Sequence, residues 1–199
     1  MQAFITNRLE MIQAILFASA YGVLFYIPFV YMPEWLHDHT GMTLHTALLI
    51  NTGGTGLILL LIPLSGWLGD RLIQRTRFIA AVMFCFAMLA SPLYTWLLED
   101  DIWGAIIVQV IMMFILAVPL GSAPAMFVEL FPPADRLSGY SVSYNLGLGV
   151  IGGATPMFAT WLIQISGFAL APAGMLLVGS LLAFAVMLWM KDRSREPLR

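Results

Sequence analysis

Charged side chains are scarce in this sequence, at 10% of its 199 residues, against roughly 25% in soluble domains. Cysteine occurs only once, at Cys85, which excludes a disulfide scaffold. We expect this side chain to be buried in an apolar helix as a small hydrophobic residue. The chain has instead 60% hydrophobic residues and a mean hydropathy of +0.89. These values exclude a disordered chain, a nucleic-acid-binding module and an ordinary cytosolic enzyme.

Six apolar stretches divide the chain, and none of them contains Asp, Glu, Lys or Arg. A transmembrane helix needs about 20 predominantly apolar residues to cross the hydrocarbon core. We therefore predict an all-α membrane protein in which residues 1–199 form a single six-helix transmembrane bundle. The helices are expected near 11–33, 46–69, 78–98, 102–128, 138–165 and 169–190. Buried helices of a large soluble domain are disfavoured, because six helices that are apolar all round leave nothing polar to cover them.

The basic residues all lie at one side of this predicted bundle. There are nine of them: Arg8, Arg71, Arg75, Arg77, Arg136, Lys191, Arg193, Arg195 and Arg199. The opposite connections contain no Lys or Arg; they include a polar segment at 33–41, which predicts a loop, and an acidic turn at 99–101. Basic loops stay on the cytoplasmic side. We therefore predict a multi-pass plasma membrane protein with both termini in the cytoplasm.

The connection between the second and third predicted helices reads GWLGDRLIQR over residues 66–75. It resembles the loop signature of the major facilitator superfamily, G-x-x-x-D-R-x-G-R-[RK]. It departs from that signature at Ile73, where a glycine is usual, and at Gln74, where a basic residue is usual. Gly66 and Gly69 predict a close approach of two helices.

The second half of the chain contains a further pattern. It reads ELFP at 129–132, Arg136, SG at 138–139, SYNLG at 143–147 and GGATP at 152–156. This run resembles the carboxy-terminal half of the metabolite:proton symporters, which include carriers of 2-oxoglutarate, citrate, shikimate and proline or betaine. Such carriers have about twelve helices in two six-helix halves. The resemblance implies half of a major facilitator fold in a bacterial inner membrane, serving proton-coupled transport of an organic acid or zwitterion.

Charged residues at the predicted cytoplasmic ends of helices form the first candidate site. Asp70 ends the second helix, where it can pair with a basic residue of a neighbouring helix. Arg71 and Arg75 can hold a cytoplasmic face closed through charge-assisted hydrogen bonds. Glu129 and Arg136 lie on the same side. We interpret these five residues as a gating cluster that forms and breaks during transport; the alternative is a basic loop that serves topology only.

Polar residues inside the predicted spans form the second candidate site, because such groups often mark a substrate path. In the resembled fold, the first, second, fourth and fifth helices of each half face a central cavity. The candidates for lining it are Tyr21, Tyr26, Asn51, Thr52, Gln109, Tyr144 and Asn145. For each of them an interhelical hydrogen bond is at least as good an interpretation. In the same region, the spacing of Gly149 and Gly153 predicts close helix packing.

No Asp, Glu, His, Lys or Arg lies deep in any predicted helix, although proton coupling usually uses an Asp, Glu or His inside the membrane. A secondary transporter binds its substrate between two halves. We therefore expect this chain to need a second six-helix half, either a separate amino-terminal half or a second copy. Membrane lipid and a small metabolite are the other expected partners, and neither a cofactor nor a metal site is predicted.

Three functions remain as hypotheses. The first is a carrier half, and the second is a noncatalytic or vestigial fragment of a transporter without transport of its own. The third is an intramembrane enzyme, which needs a nucleophile and a base together inside the membrane. It is disfavoured because the histidines, His37, His39 and His45, all lie in or beside one outer loop.

Overall fold

The structure, a computed structural model, describes residues 7–71, 74–99 and 101–194. Within these ranges the chain has no strand and six helices long and apolar enough to cross a membrane. They are α1 (Arg8–His39), α2 (Leu44–Arg71), α3 (Arg75–Leu97), α4 (Ile102–Leu130), α5 (Arg136–Ser166) and α6 (Ala171–Trp189). The prediction of an all-α protein with six membrane-spanning helices is confirmed. Ile73, Asp100, Arg195 and Arg199 lie outside the described residues.

α1 does not end at Pro33, where the sequence predicts a loop. A π-helical stretch, Ile27–Tyr31, is followed directly by a further α-helical segment, Met32–His39. Pro33 is tolerated because it stands in the first turn of that segment, where its missing N–H has little consequence. The loop prediction is therefore wrong over most of its length, and the irregularity lies inside a continuous helix.

The helices pack in pairs that join the two halves of the chain. α1 packs mainly on α5, α2 on α4, and α3 on α6, while α1 also contacts α6 and α3 contacts α4. The first three helices and the last three have equivalent contacts: α1 contacts α5 and α6 in the same way that α4 contacts α2 and α3, and α3 and α6 contact each other. Because α1 and α4 cross the bundle in opposite directions, the pattern is that of two inverted three-helix repeats.

Glycines allow α1 and α5 to touch backbone to backbone. A Cβ atom added at Gly147 would lie 2.5 Å from the side chain of the facing residue on α1, and one added at Gly152 would lie 2.8 Å from the Cα of Gly22. Gly149, selected by its spacing in the sequence, has no atom within 4 Å of such a Cβ. The predicted close contact at Gly149 is therefore not made within this chain. The reason is that Asn145–Gly152 is π-helical, and its hydrogen bonds span five residues instead of four.

Two helices leave most of their surface uncovered. Only 22% of the most apolar stretch of α2 and of α5 is buried, against 61% for α1. α3 is intermediate, and its outward face includes Cys85, which is exposed. The expectation that Cys85 is buried is wrong, because α3 packs through other positions such as Met83 and Phe86.

The start of α3 is capped by a residue from the other end of the chain. Gln74, in the N-cap position, makes no side-chain capping bond. Instead the backbone N–H and the hydroxyl of Thr76 both donate to Asp192 Oδ2, each at 2.9 Å. A carboxylate at a helix N-terminus satisfies free N–H groups and is favoured by the helix dipole. Asp192 thereby fastens the segment after α6 to the first turn of α3.

The Asp192→Asn variant should lower the free energy of unfolding by about 1 kcal/mol at neutral pH, the usual effect of losing a helix cap. Burial acts to raise the pKa of Asp192, but hydrogen bonds from Ser194 and Thr76 outweigh it, so this pKa lies below its ordinary value. The stabilisation is therefore complete above the ordinary pKa of about 3.9 and is lost as the pH falls through the lowered one. Unfolding in mixed micelles at several pH values measures the difference between variant and wild type.

The matched control for this prediction is Asp38→Asn, at the exposed end of α1. It should change the free energy of unfolding by less than about 0.5 kcal/mol. A difference between Asp192→Asn and wild type that stays constant down to acid pH would contradict the capping role of the carboxylate.

Candidate functional site

Three of the predicted gating residues meet at one end of the bundle, where α2 is followed by α3 and α4 by α5. We call this the basic end. Arg75, the first residue of α3, has a side chain only 8% exposed. Its Nη2 donates to Asp70 Oδ1 at the end of α2, and its Nη1 donates to Glu129 Oε1 near the end of α4, both at 2.8 Å. One guanidinium thus connects three helices.

The two carboxylates bound by Arg75 differ in their access to water. The side chain of Glu129 is 19% exposed, whereas that of Asp70 is 70% exposed. Solvent screens an exposed ion pair, which contributes little, while a buried charge that loses its partner is costly. The Arg75–Asp70 pair can therefore open at low cost, and the Arg75–Glu129 pair cannot.

The structure does not bring the other two predicted gating residues to this guanidinium. The guanidinium carbon of Arg71 lies 3.7 Å from the centroid of the Trp67 ring, in a cation–π contact. Arg136, at the start of α5, donates from Nε to the carbonyl of Phe131 at 3.4 Å. The predicted cluster of five is thus a triad of Asp70, Arg75 and Glu129, with two arginines nearby in other contacts.

The basic end also contains contacts that the sequence did not single out. Arg193, beyond α6, donates from Nη1 to the carbonyl of Leu130 at 3.1 Å, and its Nη2 lies 3.7 Å from Glu10 Oε1 on α1. Asn7 donates to Asp135 Oδ2 at 2.8 Å. The only sequence signal for these contacts was the gathering of charged residues near helix ends. Which residues pair depends on the packing order of the helices.

Two of the predicted lining residues form an amide network between α1, α2 and α4. Gln109 donates from Nε2 to Asn51 Oδ1 at 2.9 Å, and Asn51 donates from Nδ2 to the carbonyl of Phe29 at 2.9 Å. Phe29 lies in the π-helical stretch of α1. The amides thus join the backbone of this irregular stretch to α2 and α4, as interhelical hydrogen bonds do in membrane proteins.

Aromatic rings form a continuous layer between α1, α4 and α5, which we call the aromatic wall; its members are Phe17, Tyr21, Phe127, Tyr140 and Tyr144. Phe17 and Tyr21 of α1 stack with centroids 6.1 Å apart, and Phe17 lies 5.7 Å from Phe127 of α4. Phe127 in turn lies 5.7 Å from Tyr140 and 5.8 Å from Tyr144 of α5. Two predicted lining residues, Tyr21 and Tyr144, belong to this wall.

The three remaining lining candidates are placed differently. The ring of Tyr26 packs on the glycines of α5, since a Cβ added at Gly152 would lie 3.4 Å from its Cδ2. Thr52 and Asn145 are exposed, on α2 and α5, and each donates to a carbonyl of its own helix, that of Leu48 and that of Ser141. The seven candidates therefore do not converge on one point within this chain.

A cavity of about 1200 Å³ lies between α6 and the second half of α5, and residues of α1 line its inner side. It is lined almost wholly by apolar side chains, such as Phe158 and Val178, and by no charged residue. A smaller cavity of about 400 Å³ between α2 and α4 reaches Gln109. The larger cavity offers little to a polar metabolite and suits only apolar groups.

The histidines of the predicted outer loop contact backbone rather than each other. His37 Nδ1 lies 2.9 Å from the carbonyl of Met42, and His39 Nδ1 lies 3.0 Å from the carbonyl of Trp35, on whose ring it also stacks. In the part of the chain that the structure describes, no three His, Cys, Asp or Glu residues are grouped so as to hold a metal ion.

Comparison with known proteins gives a match to the family model of the Major Facilitator Superfamily over residues 14–199. The chain is 27% identical over 172 residues to the ectoine/proline transporter ProP of Corynebacterium glutamicum, covering 84% of this chain and 33% of that protein. It is 30% identical over 182 residues to the glycine betaine/proline/ectoine/pipecolic acid transporter OusA of Dickeya dadantii, covering 90% and 36%.

A third relative is the proline/betaine transporter of Escherichia coli K12, with 27% identity over 186 residues, covering 90% of this chain and 36% of that protein. The chain thus spans about a third of the length of these curated relatives. No solved structure matches it significantly.

Proposed function

The chain belongs to the Major Facilitator Superfamily, and from this premise we propose that it is one six-helix half of a carrier for a small zwitterion. The relatives are named as transporters of betaine, proline, ectoine and pipecolic acid, molecules that combine a positive nitrogen with a carboxylate. Their names favour a zwitterion over the organic acids that the sequence left equally open, and transport over enzymatic catalysis.

The observation that carries the half-carrier proposal is the uncovered surface of α2 and α5. Open positions on these helices include Gly53, Gly56 and Gly149, where nothing lies within 4 Å of an added Cβ, and small residues suit close helix approach in membranes. Asn145 is exposed on α5, its hydrogen bond to Ser141 uses only an amide N–H, and polar groups are unfavourable against acyl chains. These features fit a second six-helix unit better than lipid alone.

Proton coupling, in this proposal, depends on the second unit. The apolar middle of each span in this chain contains no Asp, Glu, Lys or Arg, so a titratable group reachable from both sides has to come from elsewhere. The basic end faces the cytoplasm of a bacterial cell, because arginine and lysine are retained on that side of the inner membrane.

The triad of Asp70, Arg75 and Glu129 acts as a gate at the basic end. The exposed Asp70 carboxylate separates from Arg75 when α2 moves, while the buried Arg75–Glu129 pair keeps α3 and α4 together. An ion pair that water can replace costs little to open, which suits a contact broken in every cycle.

Uptake of radiolabelled glycine betaine into proteoliposomes with an imposed pH gradient tests the proposed function. One arm contains this chain alone, and the other contains it co-expressed with the amino-terminal six-helix half of the Dickeya relative. We expect uptake above empty liposomes in the second arm only, because the uncovered faces of α2 and α5 need a partner.

Either of two other outcomes would reject part of the proposal. Uptake by the chain alone would show that 199 residues suffice, as two copies, and would overturn the need for a different half. A folded complex of both halves without uptake of betaine, proline or an organic acid would instead favour a noncatalytic or vestigial fragment. Circular dichroism of the reconstituted samples confirms folding in each arm.

A further inference from the structure

The aromatic wall has a buried layer and a half-buried layer. Phe17 and Phe127 are fully buried, with no exposed surface, and form the backing. Tyr140 and Tyr144 are only half-buried and lie in front, with their ring centroids 5.4 Å apart. Their position on α5 borders the uncovered face of that helix, where the following residue, Asn145, is exposed. The two phenol rings therefore stand at the edge of the space where a second six-helix unit would close a cavity.

The ring faces of this wall suit a cation. Aromatic ring faces carry partial negative charge and attract ammonium groups, and quaternary ammonium ligands are held in this way. The six apolar stretches contain no Lys or Arg to bind a carboxylate and no Asp or Glu to bind an ammonium by ion pairing. Aromatic faces are thus the feature of this half with which a positively charged nitrogen inside the membrane can interact favourably.

We propose that Tyr140 and Tyr144 bind the ammonium end of the solute, and that its carboxylate end is bound by the second six-helix unit. This assignment rests on the proposed function, since it takes one pole of a zwitterion as the ligand. It divides recognition between the two halves: a quaternary nitrogen, which has no N–H to donate, is held by ring faces here, and the anionic pole is held by donors across the cavity. The fully buried Phe127 ring behind them contacts both tyrosines and keeps them in position.

Tetramethylammonium is the probe for the cationic end of the solute, because it has a quaternary nitrogen and no carboxylate. Its binding to the full chain is measured by saturation-transfer NMR in nanodiscs of phosphatidylethanolamine and phosphatidylglycerol, which contain no choline headgroup. Acetate serves as the matching anion probe. We expect tetramethylammonium to bind and acetate to give no signal above protein-free nanodiscs.

Variants of the front layer distinguish ring faces from simple packing. The double variant Tyr140→Leu/Tyr144→Leu should weaken tetramethylammonium binding by about tenfold, within the range reported for cation–π contacts. Tyr140→Phe/Tyr144→Phe keeps the ring faces and should retain wild-type affinity. Phe158→Leu removes an exposed aromatic ring elsewhere on α5 and should have no effect.

Several outcomes would overturn the assignment. Wild-type affinity in the double leucine variant, equal binding of acetate, or an equal loss in Phe158→Leu would each show that the wall is not the ammonium site. Betaine uptake that is unchanged in the double leucine variant would reject this inference while leaving the carrier proposal intact. Tetramethylammonium binding by a wild-type chain that supports no uptake in either arm would reject the carrier and leave the wall as a cation site.

Discussion

The Gly147→Ala variant is expected to lose roughly 1–3 kcal/mol of unfolding free energy, the range for overpacking a close contact. A Cβ at this position would lie 2.5 Å from the Cβ of Ala18 and 2.8 Å from the backbone nitrogen of Ser19. Backbone cannot move aside as a long side chain can, so α1 and α5 must separate along their shared length. Titration with a denaturing detergent, followed by circular dichroism, measures the change.

Gly149→Ala is the matched control, because it lies in the same π-helical stretch and has no atom within 4 Å of the added Cβ. We expect it to unfold within about 0.5 kcal/mol of the wild type. Equal destabilisation by both alanines would mean that α5 tolerates no side chain in this stretch for reasons of helix geometry, and the close contact with α1 would not be the cause.

Replacement of Arg75 by alanine should lower the free energy of unfolding by about 3 kcal/mol, because it leaves the Glu129 carboxylate on α4 without its buried partner. Only 8% of the Arg75 side chain is exposed, and its guanidinium contacts both Asp70 and Glu129 at 2.8 Å. The same titration with a denaturing detergent measures this decrease in unfolding free energy. Arg71→Ala is the control: this arginine is exposed and contacts only the Trp67 ring among the described partners, so its removal should cost below about 1 kcal/mol.

The Asp70→Asn variant distinguishes an effect of the triad on gating from an effect on the stability of the folded chain. With 70% of the Asp70 side chain exposed, the unfolding free energy should change by less than about 1 kcal/mol. The rate of betaine uptake by the two-half carrier should nevertheless change severalfold, because the contact that opens and closes is weakened. A variant that loses folded protein, or one whose uptake rate is unaltered, would contradict the gate.

The number of helices was predictable because it depends on composition. Six stretches free of charge are required by the bilayer whatever the details of packing. The end of α1 was not predictable in the same way, since Pro33 reads as a helix breaker but falls in the first turn of a new helical segment after a π-helical one. Local rules for proline apply to regular α-helices and do not anticipate a change in hydrogen-bond spacing.

The candidate gate was predictable in part. Asp70, Arg75 and Glu129 fall at the same end by alternation of the helices, and opposite charges there were expected to pair. That Arg75 is the centre, and that Arg71 stacks on Trp67 instead, depends on the rotation of each helix. The sequence contained no comparable signal for Asp192, because nothing local shows that a residue beyond α6 caps α3.

The glycines illustrate the same limit. The small-x-x-x-small rule assumes that contacts recur every four positions, and it selected Gly149 in a π-helical stretch where the contacting glycines, Gly147 and Gly152, are five positions apart. Asn51 and Gln109 were singled out as polar residues in a membrane, but the sequence did not show that Gln109 donates to Asn51 and that Asn51 donates to the carbonyl of Phe29. Pattern rules identify which residues are unusual, but the residues that they contact depend on how the helices pack.

The cap on α3 has a consequence for the order of events during synthesis. Thr76 and Asp192 are 116 residues apart, which a ribosome translating about 5–20 residues per second covers in roughly 6 to 23 s. For most of that interval α3 has neither its cap nor a complete α6, its main packing partner, while α4, which it also contacts, is made earlier. α3 therefore has to persist in lipid on its own hydrophobicity and its contacts with α4, and α6 completes the structure of a helix made much earlier.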